Sequence, residues 1–347
     1  MAKVVSGAVA VDAMGGDHAP AATVQGSVEA VRQWGLEVLL VGHEPTLRRH
    51  LARLGGAPPG LRLVDAPEVV GMGEQPTAPV RTKRRSSLAE AARLVRDGEA
   101  CALVTAGNSG AAMVAAKLII GMIAGVERPA LATPVPGLER QTLLLDVGAN
   151  VDCRPHHLVE FAIMGHFYAQ AVLKVANPRV GLLSIGEEEG KGDRVTVEAH
   201  RLLGDAGLNF IGNVEGRDVY AGTVDVVVCD GFVGNVVLKV SEGLGEMVVA
   251  MLRREARRSP TSAVGLLLAK GALTALRRKA DYAEYGGAPL LGVRGACLIG
   301  HGRSSAKAVR NAVRVAHEYA TRDVIPHIEA KLAELNGRSG VEEVQRA

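Results

Sequence analysis

A carboxylate, two adjacent glycines and a histidine follow the first apolar run of the chain. In the segment AVAVDAMGGDHAP, Asp12 ends the run, and Gly15, Gly16 and His18 come shortly after it. Carboxylates and imidazoles transfer protons or bind metal ions, and glycine lets a ligand approach the backbone closely. We therefore expect a ligand site at this point of the chain.

Two later segments place glycine and short polar residues where a strand is expected to lead into a helix. VTAGNSGAAMVAA contains Asn108 and Ser109 between two glycines, and VVVCDGFVGNVVLKV contains Asp230, Gly231 and Asn235. The free N–H groups at a helix N-terminus bind phosphate, but the same residue types also serve as ordinary helix caps. Both interpretations are open for each segment, and the presence of two such segments favours phosphate binding.

A lysine lies between two glycines in GEEEGKGD at 186–193. Lys191 could reach a phosphate or stabilise a developing oxyanion. The alternative is a solvated charged loop, which is the commoner role of such a run.

The segment DVGANVDCRPHH at 146–157 combines Asp146 and Asn150 with two adjacent histidines. An aspartate with histidines suggests a metal, but neighbouring side chains on a helix diverge by about 100°. Pro155 suits the first turn of a helix. We therefore expect His156 and His157 at the surface of that turn and no metal site.

Alternating strand and helix patterns position these candidates. Short apolar runs predict strands at 8–13, 37–42, 100–107, 142–150, 179–186, 224–231 and 296–300. Helical patterns occur at 21–34, 45–54, 87–96, 111–124, 155–176, 195–206, 234–258 and 304–335. This alternation predicts an α/β fold with a doubly wound, mostly parallel sheet. We expect one catalytic domain over 1–335 and a flexible tail over 336–347. Ligands of such sheets bind beyond the carboxyl ends of the strands, where the candidate segments lie.

Composition narrows the class of protein. The net charge is only +3 and aromatic residues make up 3% of the chain, so we expect no nucleic-acid partner. The four cysteines are far apart, which indicates reduced thiols of a cytoplasmic protein. We expect no secretory signal and no membrane-spanning helix. The chain lacks G-x-G-x-x-G, a P-loop, G-x-S-x-G and H-E-x-x-H.

An apolar stretch with basic flanks interrupts the α/β pattern. Arginines at 253, 254, 257 and 258 precede it, and Arg277, Arg278 and Lys279 follow it. We expect a helical hairpin over 243–285, with Leu266, Leu267 and Leu273 among the apolar residues. It could contact a membrane surface, a second copy of the chain or an acidic protein.

Eight segments resemble the PlsX phosphate acyltransferase family of fatty acid and phospholipid synthesis, and the resemblance covers residues 5–330. They are VAVDAMGGDHAP, TAGNSGA, RPALATPVP, LLLDVGANVDCRP, LLSIGEEEGKG, VEGRD, VVCDGFVGNVVLK, and YGGAPLLGVRG followed by HGRSSAKAV. The resemblance implies reversible transfer of a long-chain acyl group from acyl carrier protein to inorganic phosphate. It also implies a fold like that of isocitrate and isopropylmalate dehydrogenases, a homodimer, no cofactor, and peripheral contact with the inner face of the cell membrane or with a membrane acyltransferase.

The reaction implied by the resemblance gives the candidates roles. Lys191 would stabilise the tetrahedral oxyanion, and Asp12 would orient backbone N–H groups or Lys191. His18 would either protonate the leaving thiolate or cap the helix near Pro20. Gly15 and Gly16 would let the backbone approach the ligand, and the leucines of 264–276 would hold the acyl chain.

Two other classes of protein are open. A metal- and NAD-dependent hydroxyacid dehydrogenase of the same fold would use Asp12, Asp146 and Asp230 to hold a divalent cation. A membrane-associated scaffold without enzymatic activity would use only the apolar and basic stretch.

Overall fold

The computed structural model describes residues 7–279 and 281–346, with the side chains at 260, 263, 275–279, 282, 336 and 338–346 outside the description. The described residues form one sheet of eleven strands. The strands are β1 Val9–Asp12, β2 Val38–Gly42, β3 Leu61–Asp65, β4 Ala102–Thr105, β5 Ala130–Pro136, β6 Gln141–Leu145, β7 Val180–Leu183, β8 Phe210–Val214, β9 Val226–Val228, β10 Ala288–Leu291 and β11 Ala296–Ile299.

Two parallel groups of strands make up the sheet. The first group has the order β3-β2-β1-β4-β11, and the second has the order β6-β9-β7-β8. Strands β10 and β5 lie between the groups and pair in antiparallel fashion with their neighbours. The predicted α/β architecture with a mostly parallel sheet is therefore confirmed.

Helices connect most of the strands. They are α1 Ala21–Trp34, α2 Glu44–Arg53, α3 Thr77–Thr82, α4 Ser87–Arg96, α5 Ser109–Ala115, α6 Pro155–Ala171, α7 Arg194–Gly204, α8 Asp218–Ala221, α9 Gly231–Arg258, α10 Pro260–Leu268, α11 Lys270–Lys279, α12 Ala306–Thr321 and α13 Val324–Arg346. Helix α5 continues as a π-helical turn over Ala116–Ile120, and a 3-10 turn covers Tyr282–Glu284. In the expected hairpin region, α9, α10 and α11 follow one another with only one residue between helices.

The carboxyl-terminal helical pattern forms two helices instead of one. The predicted helix over 304–335 breaks at Asp323, which has a φ of 53°, in the left-handed region that ends helices. Residues 336–346, where we expected a frayed tail, continue α13. The spacing of apolar residues predicted one continuous helix over 304–335 and did not reveal the break at Asp323.

All seven predicted strands are present, because each is a short apolar run buried on both faces. In β1, for example, all four residues are buried, as they are in β4 and β11. The core packs these strands against helices on both sides, with Phe161 and Tyr168 of α6 and Tyr319 of α12 among its largest buried side chains.

Candidate functional site

Asp12 lies at the carboxyl end of β1 and is almost completely buried. Its Oδ2 accepts a 2.7 Å hydrogen bond from the Thr105 hydroxyl, and its Oδ1 accepts a 3.3 Å hydrogen bond from the Met14 N–H. Burial raises the pKa of the Asp12 carboxyl, and hydrogen bonds from Ser87, Thr105 and Met14 partly oppose this rise. Asp12 therefore fixes the ends of β1 and β4 together. Sequence reasoning missed Thr105, although it ends its strand just as Asp12 does.

Gly15 permits the loop after β1 to touch the loop after β4. A Cβ at Gly15 would lie 2.6 Å from Asp12 Oδ2 and 2.9 Å from the Gly107 nitrogen, which leaves no room for a side chain. Gly16 follows with a φ of 108°. The backbone at Gly15 approaches the loop after β4 closely, and the predicted approach of Gly15 and Gly16 to a ligand stays a prediction.

Asn108 is an N-cap, and its carboxamide is occupied by protein groups. Its Oδ1 accepts a hydrogen bond from the Ala111 N–H at 3.0 Å, and its Nδ2 donates to the carbonyl oxygens of Met72 and Glu74 at 3.1 and 2.8 Å. This side chain holds the segment 71–76 against the loop after β4. Asn108 therefore serves as an ordinary helix cap, whereas Ser109 is exposed at the start of α5.

His18 is exposed and does not cap α1. The N-cap position of α1 is Pro20, and no side chain accepts a hydrogen bond there. The capping alternative for the His18 side chain is therefore wrong. Its role as a proton donor stays a prediction.

Asp146 lies at the end of β6 and is fully buried. Its Oδ1 accepts hydrogen bonds from the N–H groups of Leu131, Gly148 and Ala149 at 3.0 to 3.2 Å. Its Oδ2 accepts from the backbone N–H and from Nδ2 of Asn150, at 2.7 and 2.9 Å. Burial raises the pKa of Asp146, and these donors act against the rise. The carboxylate therefore organises the loop after β6.

Asp230 performs a similar function at the start of α9. Its Oδ1 accepts hydrogen bonds from the N–H groups of Phe232 and Val233 at 2.8 and 2.9 Å. The N–H of Gly231 donates to the Asn150 carbonyl oxygen at 2.7 Å, and a Cβ at Gly231 would lie 2.6 Å from that oxygen. The first N–H groups of α9 are thus bonded within the protein, which supports the helix-cap interpretation of this segment, and phosphate binding by its residues stays a prediction. Asn235, one turn further, is exposed next to Gly148.

Lys191 lies in the loop between β7 and α7. Its side chain is exposed, its Cγ and Cδ cover Gly186, and no ion pair between described side chains includes it. Its carbonyl oxygen accepts a 2.9 Å hydrogen bond from the Ser184 hydroxyl and lies 3.5 Å from Asn213 Nδ2. The lysine is therefore held through its backbone and presents a cation to solvent.

The candidate residues fall into two groups. Asp12, Gly15, Gly16, His18, Asn108 and Ser109 follow strands of the first parallel group, and Asp146, Asn150, Lys191, Asp230, Gly231 and Asn235 follow strands of the second. In the described part of the chain, no hydrogen bond or ion pair joins Asp12 to Lys191, and the oxygens of Asp12 bond to Thr105 and Met14. Of the two alternatives expected for Asp12, the structure thus agrees with the orientation of a backbone N–H group, that of Met14, and not with the orientation of Lys191.

Three side chains with possible metal ligands meet at the start of α6. Nε2 of His156 lies 2.7 Å and Nε2 of His157 lies 3.1 Å from Glu127 Oε2. Contrary to the prediction that both histidines are at the surface, His157 is fully buried. Its Nδ1 accepts a 3.0 Å hydrogen bond from the Arg154 N–H, so the neutral ring carries its proton on Nε2. That nitrogen faces the carboxylate as an N–H and is not available as a metal ligand.

A long apolar surface extends along α9 and α10. On α9 the exposed apolar side chains are those of Phe232, Val233, Val236, Val240, Leu244, Met247, Val248, Val249, Met251 and Leu252. On α10, Val264, Leu267 and Leu268 are exposed and Leu266 is half-buried, and Leu273 of α11 is half-buried as well. The side chains of the basic flank at 277–279 lie outside the described residues. None of the described helices is both long and apolar enough to cross a membrane.

Comparison with known proteins agrees with this architecture. The model of the fatty acid synthesis protein family matches residues 8–327. A phosphate acyltransferase of Trichlorobacter lovleyi is 52% identical over 329 residues, which cover 95% of each chain. A phosphotransacetylase structure from Streptococcus pyogenes has a TM-score of 0.63 at 16% identity, over 90% of this chain and 93% of that one.

A 4-hydroxythreonine-4-phosphate dehydrogenase structure from Klebsiella pneumoniae has a TM-score of 0.51 at 14% identity, over 90% of this chain and 99% of that one. These two structures share the fold, which confirms the expected likeness to the dehydrogenase fold. The family match and the high identity over nearly the whole length show more than a shared fold: the chain belongs to the phosphate acyltransferase family and is an acyltransferase of lipid synthesis.

Proposed function

We propose that the protein transfers a long-chain fatty acyl group, reversibly, from acyl carrier protein to inorganic phosphate. The products are an acyl phosphate, which supplies phospholipid synthesis, and the free thiol of the carrier. Family membership supports acyl transfer and phosphate. The identity of the donor as a carrier protein and the long chain are parts of the proposal.

The observation that carries this proposal is the course of α9. The helix begins at the Asp230 cap, beside the loops that hold Asp146 and Asn150, and its exposed apolar side chains start at Phe232. An apolar surface of this length on a chain that also presents Lys191 suits a substrate with a long hydrocarbon chain and an anionic group. A short-chain substrate would not require it.

The dehydrogenase alternative is not favoured. Two of its three candidate cation ligands, Asp12 and Asp146, are buried, and both oxygens of each carboxylate accept hydrogen bonds from the protein. Asp230 likewise uses one oxygen to cap α9. The scaffold alternative does not explain why the chain belongs to a family of enzymes.

In the proposed mechanism, a phosphate oxygen attacks the thioester carbon directly. A C–O bond forms, the carbonyl oxygen becomes an oxyanion, and the C–S bond then breaks to release a thiolate, which takes up a proton. The exposed ammonium group of Lys191 stabilises the oxyanion. His18 stays a candidate proton donor to the thiolate, although it follows β1, which six strands separate from β7 and Lys191 in the sheet order.

The cysteines support a mechanism without an acylated thiol. Burial raises the pKa of Cys101 to about 11 and that of Cys297 to about 12. Burial and the nearby carboxylates of Asp146 and Asp230 raise the pKa of Cys153 to about 11. The thiolate is the nucleophilic form, so these thiols are poor nucleophiles at neutral pH.

The test is release of free thiol from acyl carrier protein as a function of phosphate. We expect Lys191→Ala to lower kcat by about 10²–10³-fold, whereas Lys117→Ala, at another exposed lysine, keeps the wild-type rate. Turnover that does not depend on phosphate would refute the reaction, and a full rate for Lys191→Ala would refute the role of that lysine. A full rate for His18→Ala would remove His18 from the mechanism.

We further propose that the protein is a cytoplasmic homodimer and that α9 and α10 bind a membrane surface. The exposed arginines at 253, 254, 257 and 258 suit anionic lipid head groups and an acidic carrier protein. Leu267→Glu should abolish flotation with anionic liposomes, and the matched variant Leu138→Glu, at a similarly exposed leucine in the turn between β5 and β6, should not. Equal flotation of both variants would rule out α10 as the anchor, and sedimentation equilibrium tests the dimer.

A further inference from the structure

We infer that Asn213 is a positioning residue for Lys191, an inference that rests on the proposed function. Asn213 lies on β8, next to β7, and is almost completely buried. Its Nδ2 donates a 2.8 Å hydrogen bond to the Glu188 carbonyl oxygen and lies 3.5 Å from that of Lys191. A single buried carboxamide therefore holds both ends of the turn that carries the lysine.

A histidine fixes the orientation of this carboxamide. Nδ1 of His200, on α7, lies 2.9 Å from Asn213 Oδ1. Because Nδ2 of Asn213 is used as a donor toward the loop, Oδ1 is the acceptor and His200 carries a proton on Nδ1. The reversed amide would place an N–H group opposite the histidine N–H and an oxygen opposite the Glu188 carbonyl. Only one orientation of the Asn213 amide therefore forms hydrogen bonds with both His200 and the Glu188 carbonyl.

Other contacts make the loop a single rigid turn. The N–H of Lys191 donates to the Glu188 carbonyl at 3.0 Å, and the Ser184 hydroxyl donates to the Lys191 carbonyl at 2.9 Å. Gly192 has a φ of 117°, and a Cβ there would lie 2.7 Å from Thr196 of α7. The backbone of Lys191 is thus held by Ser184, which directly follows β7, and by Asn213 of β8, while its side chain stays exposed.

This arrangement has a catalytic consequence. An oxyanion partner acts only when its charge is held at the correct position before the reaction, and a displacement of about 1 Å can lower a rate by 10²-fold. Loss of the Asn213 amide should therefore lower kcat, because Lys191 is displaced, and should leave the KM for the acyl donor nearly unchanged. Nothing in the segment FIGNV, which lies outside the strands predicted from sequence, indicated this role.

The test uses Asn213→Asp, which keeps the shape but removes the N–H donors, and Ser184→Ala, a smaller change on the other side of the same carbonyl. Asn209→Ala is the control, because Asn209 precedes the same strand and its Nδ2 bonds to the Asn177 carbonyl, away from the lysine. We expect a kcat loss of about 10-fold or more for Asn213→Asp, a smaller loss for Ser184→Ala, and none for the control.

A double-mutant cycle separates positioning from general stability. If Asn213 acts through Lys191, adding Asn213→Asp to Lys191→Ala lowers kcat no further. Losses that multiply would overturn the inference, as would unchanged hydrogen exchange of the amides at 186–192 in Asn213→Asp. Full activity of Lys191→Ala would instead refute the catalytic role in the proposed function, and the exchange measurement would still decide whether Asn213 holds the loop.

Discussion

Replacing Gly234 with alanine tests how closely α9 packs on the loop after β6. A Cβ at Gly234 would lie 1.9 Å from the Asp146 carbonyl oxygen and 2.9 Å from Cys229 Sγ. The nearest atom belongs to backbone that the buried Asp146 hydrogen bonds hold in place, so relief requires a shift of the helix. Such overpacking costs about 3 kcal/mol, and the better helix propensity of alanine offsets about 1 kcal/mol of it.

Gly243 provides a control within the same helix. It is exposed, and a Cβ there would meet no atom within 4 Å. Gly243→Ala should therefore stabilise the protein by about 0.5–1 kcal/mol through helix propensity alone. The same substitution at two positions of α9 is thus expected to change the free energy of unfolding in opposite directions.

Equilibrium urea unfolding, followed by circular dichroism, measures both variants against the wild type. The slope of the free energy against urea should stay the same, because neither variant changes the surface exposed on unfolding. We expect Gly234→Ala to lose about 2 kcal/mol and most of its phosphate-dependent activity. If Gly234→Ala is as stable as Gly243→Ala, then the contact between α9 and the Asp146 loop is wrong, and so is the site built on it.

Three further predictions concern the side chains that hold the loops. Asp146→Asn should lower the free energy of unfolding by about 2–3 kcal/mol, because an amide cannot accept from all five N–H donors; an unchanged urea midpoint would contradict this. Asn108→Ala should cost about 1–2 kcal/mol through the lost cap and make 71–76 a site of limited proteolysis; resistance equal to the wild type would contradict it. The histidines lower the pKa of Glu127 to about 2, below its ordinary 4.5, so Glu127 stabilises the fold above pH 4.5 and loses this effect as the pH falls toward 2. The difference in urea midpoint between wild type and Glu127→Gln should therefore shrink as the pH falls over that range. A constant difference would contradict the contact of Glu127 with His156 and His157.

The predictable part of the fold is the part that is buried on both faces. Strands such as β1 and β4 are continuous apolar runs, and all seven strands of this type were predicted from sequence. The four missed strands lack the signal for identifiable reasons. Strands β3 and β8 are the edges of the sheet and are partly exposed, and β5 contains Pro134 and Pro136. Strand β10 runs antiparallel between the groups, where strand-helix alternation no longer applies.

The site residues show a different limit of sequence reasoning. Positions at strand ends were predicted correctly, but a residue type does not reveal whether its hydrogen-bonding atoms face a ligand or the protein. Asp146 and Asn108 have the expected locations, yet their oxygens and N–H groups are bonded to neighbouring loops. Their partners, such as Leu131 and Met72, are distant in sequence, so no local pattern could reveal them.

The chemistry of the substrate helps to decide which candidates act on it. Phosphate is an anion, and the buried carboxylates of Asp12 and Asp146 have no hydrogen left to donate when they are ionised. Their function is to shape the loops, because each binds N–H or O–H groups from two different segments. A cation must then balance the charge of phosphate and of the oxyanion, and Lys191 is exposed at the carboxyl edge of the same strands as Asp146. Burial and charge thus separate the buried carboxylates, which hold loops, from the exposed Lys191, which we propose as the residue that meets the substrate.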